Sequence, residues 1–403
     1  MPVFLSVNRR QYWNFMEYKF VTDNQTLADF CQQASSAQAI AVDTEFVRTR
    51  TLYPQLGLIQ IYDGKQLVLI DPLAIEDFSS LTGLLINPNV IKVLHSCSED
   101  LETFWHAFKV MPTPIFDSQF AASIVGMGPA LGYAKLVDIM LEIAVDKGES
   151  RTDWLARPLR EQQLDYAAKD VLYLFQLYPE LKERVEQQNK LPWVYQEMAH
   201  LATKKQTAIP LDSVYLTIKN NWRLSRKALL ILQKLAHWRT ATARKRDMAL
   251  NFVVREENLV AIATSQPKSK NELRAIQGMN PHEVRIHGDA LLAIVADCDH
   301  VAEDEYPARV KRLNDIEDYK NTAATIKKLC QKVAEENAIP PELVGSKKQI
   351  NQLLKWCWMN EDETRDMGLL PDLISNWRGS LMFEELAKIE SLQLSSMSIE
   401  EIS

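Results

Sequence analysis

Residues 39–45 read Ala-Ile-Ala-Val-Asp-Thr-Glu, a short apolar run that ends in two acids. An apolar run of this length predicts a buried strand. Side chains two residues apart lie on the same strand face, so Asp43 and Glu45 would be neighbours about 6–7 Å apart. A hydrophobic strand tolerates two carboxylates at that distance only with a bound cation or with full solvation. These residues alone therefore leave two interpretations open, a metal site and a solvated strand end.

Strand-like and helix-like patterns alternate outward from this run. The predicted strands are 39–42, 58–62, 67–70, 90–94 and 115–117. Asp63-Gly64 separates the second strand from the third, a dipeptide that is typical of a hairpin. Helical spacing appears in residues 99–108 and over the long span 160–185. Meandering strands followed by alternating helices and strands predict an α/β fold with a mixed sheet flanked by helices.

The second half of the chain has a different pattern. From about Trp222 onward strand signals nearly vanish and helical periodicity dominates. The helical pattern is interrupted by Pro- or Gly-containing turns at 266–269, 278–281 and 339–341. Two all-helical modules of about 80 residues each fit this span. Residues 229–238 and 326–334 resemble each other, which either an internal duplication or two ordinary amphipathic helices would explain.

The composition is that of a globular protein with several cores. At roughly 150 residues per domain, 403 residues predict two or three domains. Hydrophobic residues make up 46% and charged residues 25%, which excludes a largely disordered chain. The low count of 12 glycines disfavours many-turned all-β folds and fits a helix-rich protein. No run reaches the ~18 apolar residues that a membrane span needs.

The N-terminus and the cysteines indicate a reducing compartment. Arg9 and Arg10 follow only a short apolar run without a small-residue cleavage site, so no signal peptide is expected. Met16 is a second possible start, because patterned sequence begins only at Tyr18. Five scattered cysteines without a C-x-x-C pair predict neither a disulfide framework nor a zinc ribbon. We therefore expect a cytoplasmic protein.

The net charge of −7 argues mildly against nucleic-acid binding, but one segment is strongly basic. Eight cations occur between residues 223 and 246 without an acid among them. These cations are Arg223, Arg226, Lys227, Lys234, Arg239, Arg244, Lys245 and Arg246. The segment is either a solvated helix face or a nucleic-acid contact.

Two further acids occur in positions that suit a metal site. Asp100 falls in the first turn of a predicted helix, where acids also occur simply because they complement the helix dipole. Tyr166 and Asp170 are four residues apart and would share one helix face, which is also a common arrangement without function. Together with the two acids of the first strand they provide four carboxylates. Such a set suits two hard divalent cations such as Mg²⁺ or Mn²⁺, with substrate phosphate as the remaining ligand.

The order of these residues resembles a known family. Asp43-x-Glu45, Asp100 and Tyr166-x-x-x-Asp170 match the three motifs of the DEDD exonuclease superfamily in its tyrosine branch. The surrounding segments are similar to bacterial ribonuclease D, and the helical half is similar to that family's HRDC modules. The similar segments are 43–51, 53–60, 98–102, 150–159, 251–257 and 349–354.

The resemblance implies a ribonuclease H-like exonuclease domain over residues 17–205, a first HRDC domain over 215–300 and a second HRDC-like domain over 318–396. It implies a metal-dependent 3′–5′ exoribonuclease that trims tRNA precursors and other small structured RNAs and releases nucleoside 5′-monophosphates. A monomer is expected. The implied metal ligands are Asp43, Glu45, Asp100 and Asp170. Tyr166 would orient the attacking water, since a phenol with an ordinary pKa near 10 is a poor base.

Five residues near these motifs are candidates for substrate binding: Thr44, Phe46, Arg151, Trp154 and Arg157. Stacking on an aromatic ring and pairing of arginine with phosphate are the contacts that single-stranded RNA needs. Plain core or loop packing explains Phe46 and the 151–157 segment equally well.

Three other functions compete with an exoribonuclease. A DNA-directed exonuclease would use the same chemistry, because the contact that reads the 2′-hydroxyl is not visible in sequence. A nucleic-acid-binding module with a vestigial core would bind without cleaving. A helicase accessory is suggested by the HRDC resemblance, but the chain lacks a G-x-x-x-x-G-K-[ST] phosphate loop and is not itself such a motor.

Overall fold

The computed structural model describes residues 17–146, 148–359 and 362–394. The choice between Met1 and Met16 as the start, and the last residues of the domain predicted over 318–396, lie outside these ranges. The chain divides into two compact units. Of the described residues, the first comprises 17–47, 56–119 and 132–183, and the second comprises 48–55, 120–131 and those from 184 to 394.

The first unit is built on one six-stranded sheet. Its strands are β1 (Lys19–Val21), β2 (Ala39–Val47), β3 (Gln55–Tyr62), β4 (Leu67–Ile70), β5 (Ile91–Leu94) and β6 (Ile115–Asp117). Their order across the sheet is β1-β4-β3-β2-β5-β6. β3 and β4 are antiparallel, whereas β1 pairs with β4, β2 with β5 and β5 with β6 in parallel. The predicted mixed sheet is confirmed.

The helices between residues 24 and 187 alternate with the strands or follow them. They are α1 (Asn24–Ala34), α2 (Ser79–Leu85), α3 (Ser98–Phe108), α4 (Ser118–Ile124), α5 (Tyr133–Leu141) and α6 (Glu161–Gln187). α3 and α6 confirm the helices predicted over 99–108 and 160–185. β2 is longer than predicted, because it continues through its two acids to Val47. β1 was not predicted, whereas β6, which is equally short, was.

The predicted hairpin at Asp63-Gly64 joins β3 to β4. The Asp63 carboxylate accepts hydrogen bonds from the backbone N–H groups of Lys65 and Gln66 at 2.8 and 2.7 Å. Gly64 has a φ of +88°, in the left-handed region where a side chain is unfavourable. A Cβ on Gly64 would also lie 2.7 Å from the ring of Phe175. The turn therefore depends on both residues of the dipeptide.

A buried lysine on β5 donates hydrogen bonds to backbone carbonyl groups. Lys92 on β5 is fully buried, and its ammonium donates hydrogen bonds to the carbonyl oxygens of Asn87 at 2.8 Å and Val90 at 2.6 Å. It also donates to the carbonyl oxygen of Thr113. Three carbonyl groups thus share one ammonium as a hydrogen-bond donor.

We expect Lys92→Met to destabilise the protein by roughly 2–4 kcal/mol, because the carbonyl groups of Val90 and Thr113 lose the ammonium as a donor, whereas that of Asn87 keeps the N–H of Val90. Urea unfolding measures the change in the free energy of unfolding. Lys135→Met on the exposed face of α5 is the matched control and should change stability by less than about 1 kcal/mol, since Lys135 makes only an exposed ion pair with Asp138. Equal stability of the two variants would contradict the structural role of Lys92.

From Leu191 onward the described elements are α-helices and short 3₁₀ turns. The helices are α7 (Leu191–Gln206), α8 (Arg226–Arg246), α9 (Leu250–Val253), α10 (Glu256–Ser265), α11 (Lys270–Ala275), α12 (Pro281–Asp297), α13 (Tyr319–Glu336), α14 (Pro341–Val344), α15 (Lys347–Trp358), α16 (Glu363–Asp366) and α17 (Asn376–Ala387). The predicted helical second half is confirmed. Within the described ranges, no helix has the length and hydropathy that a membrane crossing requires.

Polar caps set the limits of these helices. Ser225 accepts a hydrogen bond from the N–H of Ala228 at the start of α8. Ser346 and Gln349 form a reciprocal capping box at the start of α15. All three predicted interruptions fall at boundaries between helices. Buried leucine, isoleucine and valine side chains of α8, α10 and α12 pack into one hydrophobic core.

Candidate active site

Three of the predicted acids converge in the first unit. Asp43 and Glu45 lie on β2, and Asp170 lies on α6. One carboxylate oxygen from each of the three lies within 4.8 Å of the others. The strand period of two places the first two side chains together, and the helix brings the third from a part of the chain more than 120 residues away. The sequence prediction that these acids meet is confirmed for this group.

Asp100 joins this group through Thr44. It is the third residue of α3 and is buried, and the Thr44 hydroxyl donates a 2.5 Å hydrogen bond to its Oδ1. The group within 4.8 Å does not include Asp100. Its charge nevertheless acts on Asp43 and Glu45. Asp100 therefore belongs to the same electrostatic cluster but lies at its edge.

Burial and mutual repulsion disfavour the charged forms of these acids. The pKa of Asp43 is raised well above its ordinary value by burial and then by Asp100, Asp170 and Glu45. The pKa of Glu45 is raised by burial and then by Asp170 and Asp100. Burial also raises the pKa of Asp170 and of Asp100. The charges acting on Asp43 and Glu45 are those of other acids, so a cation is the natural counter-charge.

The oxygen donors of the cluster fit a hard divalent cation. Carboxylates on rigid elements, few in number and close together, are the usual protein ligands of Mg²⁺ and Mn²⁺. The charged forms of three carboxylates within 4.8 Å of one another, with Asp100 at the edge, need more stabilisation than hydrogen bonding alone would provide. A bound dication would offset the repulsion that, after burial, raises the pKa values of Asp43 and Glu45.

Tyr166 is placed one helical turn before Asp170, as predicted. Its phenol hydrogen-bonds the Asp170 carboxylate, which favours the charged form of that acid. Burial and the acids of the cluster raise the pKa of Tyr166 above its ordinary value. The phenol is therefore a neutral hydrogen-bond donor near pH 7 and not a base.

Tyr133 is a residue of the site that sequence reasoning missed. Its hydroxyl donates to the backbone carbonyl oxygens of Asp170 at 2.5 Å and Lys169 at 3.1 Å. Its ring packs edge-on against His95, with ring centroids 5.5 Å apart. These contacts hold the turn of α6 that carries Asp170. No motif marks Tyr133, because it acts on backbone groups that any sequence provides.

Asp117 is a second residue that the sequence did not single out. It is buried at the end of β6 and accepts a 2.8 Å hydrogen bond from the backbone N–H of Cys97. Cys97 immediately precedes α3, the helix that carries Asp100. The one sequence signal that could have identified Asp117 is its position as an acid at the end of a short apolar strand, which Asp43 shares.

The structure gives Thr44 and Phe46 different positions. Thr44 is buried and holds Asp100, as described above, whereas Phe46 is partly exposed. Arg151 is exposed in the loop before α6. The predicted contacts of these three residues with substrate stay predictions.

Trp154 is buried and Arg157 is partly exposed, and the contacts of both within the first unit favour the packing interpretation over substrate binding. Trp154 is only 1% exposed and contacts Tyr166 with ring centroids 6.3 Å apart, which leaves no face for a base. A Cβ on Gly57 would lie 2.6 Å from the Trp154 carbonyl oxygen, so this loop fits tightly against β3. Of the two interpretations of the loop, packing is the one that its burial supports.

All five N–H groups of the Arg157 guanidinium are used inside the first unit. Two donate to the carboxylate of Asp71 at 2.7 and 2.6 Å. The others donate to the carbonyl oxygens of Gly57, Trp154 and Ala156 at 2.7, 2.9 and 2.8 Å. A guanidinium has five N–H donors, so none is left for a phosphate. The same pair lowers the pKa of Asp71 against the opposing effect of burial.

Comparison with known families assigns most of this chain. A model described as 3′-5′ exonuclease matches residues 18–186. A model described as HRDC domain matches residues 228–295, and one described as ribonuclease D, C-terminal HRDC domain, matches residues 317–386. The acidic cluster, with residues from β2, α3 and α6, lies inside the range of the first model.

Individual proteins are similar along nearly the whole chain. A ribonuclease D of Shewanella sp. (strain ANA-3) is 44% identical over 94% of this chain and 95% of its own length. The crystal structure of Escherichia coli RNase D, described as an exoribonuclease involved in structured RNA processing, superposes with a TM-score of 0.89 at 43% identity and covers 94% of this chain and 99% of that one. The catalytic core of RRP6 from Trypanosoma brucei is 25% identical with a TM-score of 0.58 and covers 70% of this chain and 80% of that one.

Proposed function

The chain belongs to the ribonuclease D family and is a 3′–5′ exoribonuclease, and from this we propose that the acidic cluster on β2, α3 and α6 removes single nucleotides from RNA 3′ ends and releases nucleoside 5′-monophosphates. The observation that carries this proposal is the convergence of Asp43, Glu45 and Asp170 oxygens within 4.8 Å. Hydrolysis of a phosphodiester places extra negative charge on the phosphate in the transition state. A site made of acids can stabilise that charge only together with cations.

Asp43, Glu45 and Asp170 would hold divalent ions, with Asp100 as a fourth ligand from the edge of the cluster. We propose two ions, Mg²⁺ or Mn²⁺, since four carboxylates are available and substrate phosphate completes the ligand set. When bound, such ions neutralise charge on the phosphate and activate water. The raised pKa values of Asp43 and Glu45 support this assignment, because burial and then the neighbouring acids disfavour their charged forms, and a bound cation would offset both effects.

The remaining residues of the site position these ligands and the water. Thr44 fixes one oxygen of Asp100 through its 2.5 Å hydrogen bond. Tyr133 fixes the backbone of Asp170. Tyr166 hydrogen-bonds the Asp170 carboxylate and, as a neutral phenol, would hold the attacking water in line rather than remove its proton.

The substrates are proposed to be tRNA precursors and other small structured RNAs with accessible 3′ ends. Phe46 and Arg151 have the exposure that contact with a terminal nucleotide requires. The 2′-hydroxyl distinguishes such a substrate from DNA. A monomer in the cytoplasm is the accompanying expectation, with five cysteines that form no disulfide among the described residues.

The proposed domains are an exonuclease domain over 17–205, a first HRDC domain over 215–300 and a second HRDC-like domain over 318–396. The ranges of the three family models support this order. Helix α7 (Leu191–Gln206) belongs to the second compact unit, so the first boundary is the one that limited proteolysis would test best.

Product analysis tests the proposed function. RNA labelled at the 5′ end should shorten as a ladder, and RNA labelled at the 3′ end should release the label as a nucleoside 5′-monophosphate. EDTA should abolish both, and excess Mg²⁺ or Mn²⁺ should restore them, because the acids then regain their cations. A DNA oligonucleotide of the same sequence is the matched control and should be a poorer substrate. Release of long fragments, or hydrolysis that survives EDTA, would contradict the proposal.

A further inference from the structure

The basic segment 223–246 coincides almost entirely with α8, and its cations have different surroundings in the second unit. Lys227 pairs with Asp299 at 2.6 Å, and Arg226 donates to the carbonyl oxygen of Tyr306 at 2.6 Å. Arg239, in contrast, points into the unit and is only 5% exposed. The segment is therefore neither a uniform solvated face nor a uniform binding face.

The guanidinium of Arg239 is poorly satisfied. Its Nε has no hydrogen-bond partner among the described residues. Its Nη1 makes a long 3.4 Å contact with the carbonyl oxygen of Val254. Arg157, which is more exposed, uses all five donors. A buried cation with so few partners is costly, and a ligand with anionic oxygens would supply what Arg239 lacks.

Arg239 lines a cavity of about 400 Å³ in the second unit. Arg48, Thr51, Asn251, Phe252 and Glu256 line the same cavity. The volume lies within the range of small-molecule sites, about 300–1,000 Å³, and is sufficient for a nucleotide.

The segment that carries Arg48 is fixed to α8 and α9 by hydrogen bonds. The carboxylate of Asp247 accepts from the backbone N–H groups of Leu52 and Tyr53 at 3.1 and 3.0 Å. The N–H of Ala249 donates to the carbonyl oxygen of Arg50 at 2.8 Å. The cavity is thus a built feature with walls in fixed positions, not a gap between loose loops.

Phe252 gives the cavity an aromatic wall. It is 52% exposed, although the next two residues, Val253 and Val254, are completely buried. An exposed phenylalanine beside a guanidinium provides the two contacts that a nucleotide needs, a stacking face for the base and a cation for the phosphate.

Glu256 is the one acid among the residues that line the cavity. It accepts a 3.2 Å hydrogen bond from the backbone N–H of Lys219. Its charge favours the protonated form of Arg239 against the effect of burial, which lowers the pKa of that guanidinium. Two arginines against one acid leave the cavity with a net positive charge.

We propose that this cavity binds one nucleotide of an RNA chain, with its phosphate on Arg239 and Arg48 and its base on Phe252. The proposal rests on the proposed function, because it assumes that the enzyme meets RNA. A free nucleoside 5′-monophosphate carries the same phosphate and base. The test therefore has to distinguish a nucleotide within RNA from a free one.

Binding of a 20-nucleotide single-stranded RNA to the full chain in EDTA is the first measurement, since hydrolysis is then suppressed. Phe252→Ala should weaken binding by about 5- to 100-fold, the range for loss of one stacked base. Arg48→Gln should reduce the slope of log affinity against log salt by about 0.7, the value for one phosphate contact on a single strand. Ile286→Ala and Arg274→Gln, exposed positions of the same unit that do not line the cavity, are the matched controls and should change neither.

Titration with AMP provides the second arm. Reduced RNA affinity in Phe252→Ala, without measurable AMP binding to the unmodified chain, supports the RNA assignment. Reduced AMP affinity with unchanged RNA affinity would assign the cavity to a free nucleotide and overturn it. Unchanged affinity for both ligands in Phe252→Ala and Arg48→Gln overturns the proposal altogether. RNA hydrolysis by the unmodified chain, measured in parallel with Mg²⁺, shows separately whether the proposed function holds.

Discussion

Asp170→Asn should reduce RNA hydrolysis by on the order of 10²–10³-fold or more and leave RNA affinity nearly unchanged. Asp170 contributes one of the three oxygens that lie within 4.8 Å of one another. The amide keeps the shape of the side chain but removes its charge, so the cluster binds cations less well and the charge that develops on the phosphate loses its stabilisation. Single-turnover hydrolysis measures the first effect, and RNA titration in EDTA measures the second.

Asp165→Asn is the matched control for this variant. Asp165 lies on the same helix, is exposed and makes only a long 3.4 Å ion pair with Lys169. The rate of RNA hydrolysis by Asp165→Asn should equal that of the unmodified chain. At pH 9 without metal, Asp170→Asn should also be at least as stable as the unmodified chain, because burial raises the pKa of Asp170 to about 8 and the amide then replaces a buried charge; thermal unfolding in EDTA tests this. Hydrolysis that survives Asp170→Asn would contradict the metal model, and lost RNA binding would point to a folding defect.

The fold of the first unit was predictable where a local pattern and a tertiary requirement coincide. Asp63-Gly64 predicted its hairpin because that turn needs a positive φ and an acceptor for free N–H groups, and both are visible in two residues. The continuation of β2 to Val47 was not predictable in the same way. Polar residues usually end a buried strand, and here pairing within the sheet outweighs their local preference.

Some residues of the site were likewise predictable from the sequence, and others were not. The strand period predicted that Asp43 and Glu45 share one face, but their spacing left a solvated strand end open. That Asp170 joins them was implied by the combination of the acids and by the resemblance to the DEDD exonucleases, because periodicity alone does not bring distant segments together. Tyr133 was missed, since its partners are backbone carbonyl groups that carry no sequence signal. For Trp154 the sequence left stacking on a base and packing equally open, because residue type shows that a ring can stack but not whether its faces are covered.

Arg157 and Arg239 show why burial alone does not predict function. Arg157 was proposed as a phosphate contact, yet all its donors are used by Asp71 and by backbone carbonyl groups. Arg239 belonged to a run with two interpretations and was not singled out, yet its donors have few partners. The two arginines differ in how many of their N–H donors have hydrogen-bond partners, and only coordinates show this. Satisfied arginines maintain a fold, whereas an unsatisfied one beside a cavity points to a ligand.

The role of Tyr166 follows from its protonation state. The acids around it and its burial raise its pKa, so the phenol stays neutral and cannot accept a proton from water near pH 7. What it can do is donate one hydrogen bond and accept another. Removing the hydroxyl should therefore disturb the position of the water and of the Asp170 carboxylate, but it should not remove a ligand or a charge.

Tyr166→Phe should accordingly lower kcat by about 10–100-fold, the usual effect of losing a group that positions a metal ligand, with little change in KM. Steady-state kinetics on a single-stranded RNA measures both constants. Tyr62→Phe is the matched control, because the Tyr62 hydroxyl donates only to the carbonyl oxygen of Gly64 at 3.2 Å. The fold reduction of kcat in Tyr166→Phe should be similar at every pH from 6 to 9. The phenol of the unmodified chain is neutral throughout this range, so the variant lacks the same hydrogen-bond donor at each pH. A loss that grows with pH would show instead that Tyr166 acts as a base, and unchanged kcat would remove it from the reaction.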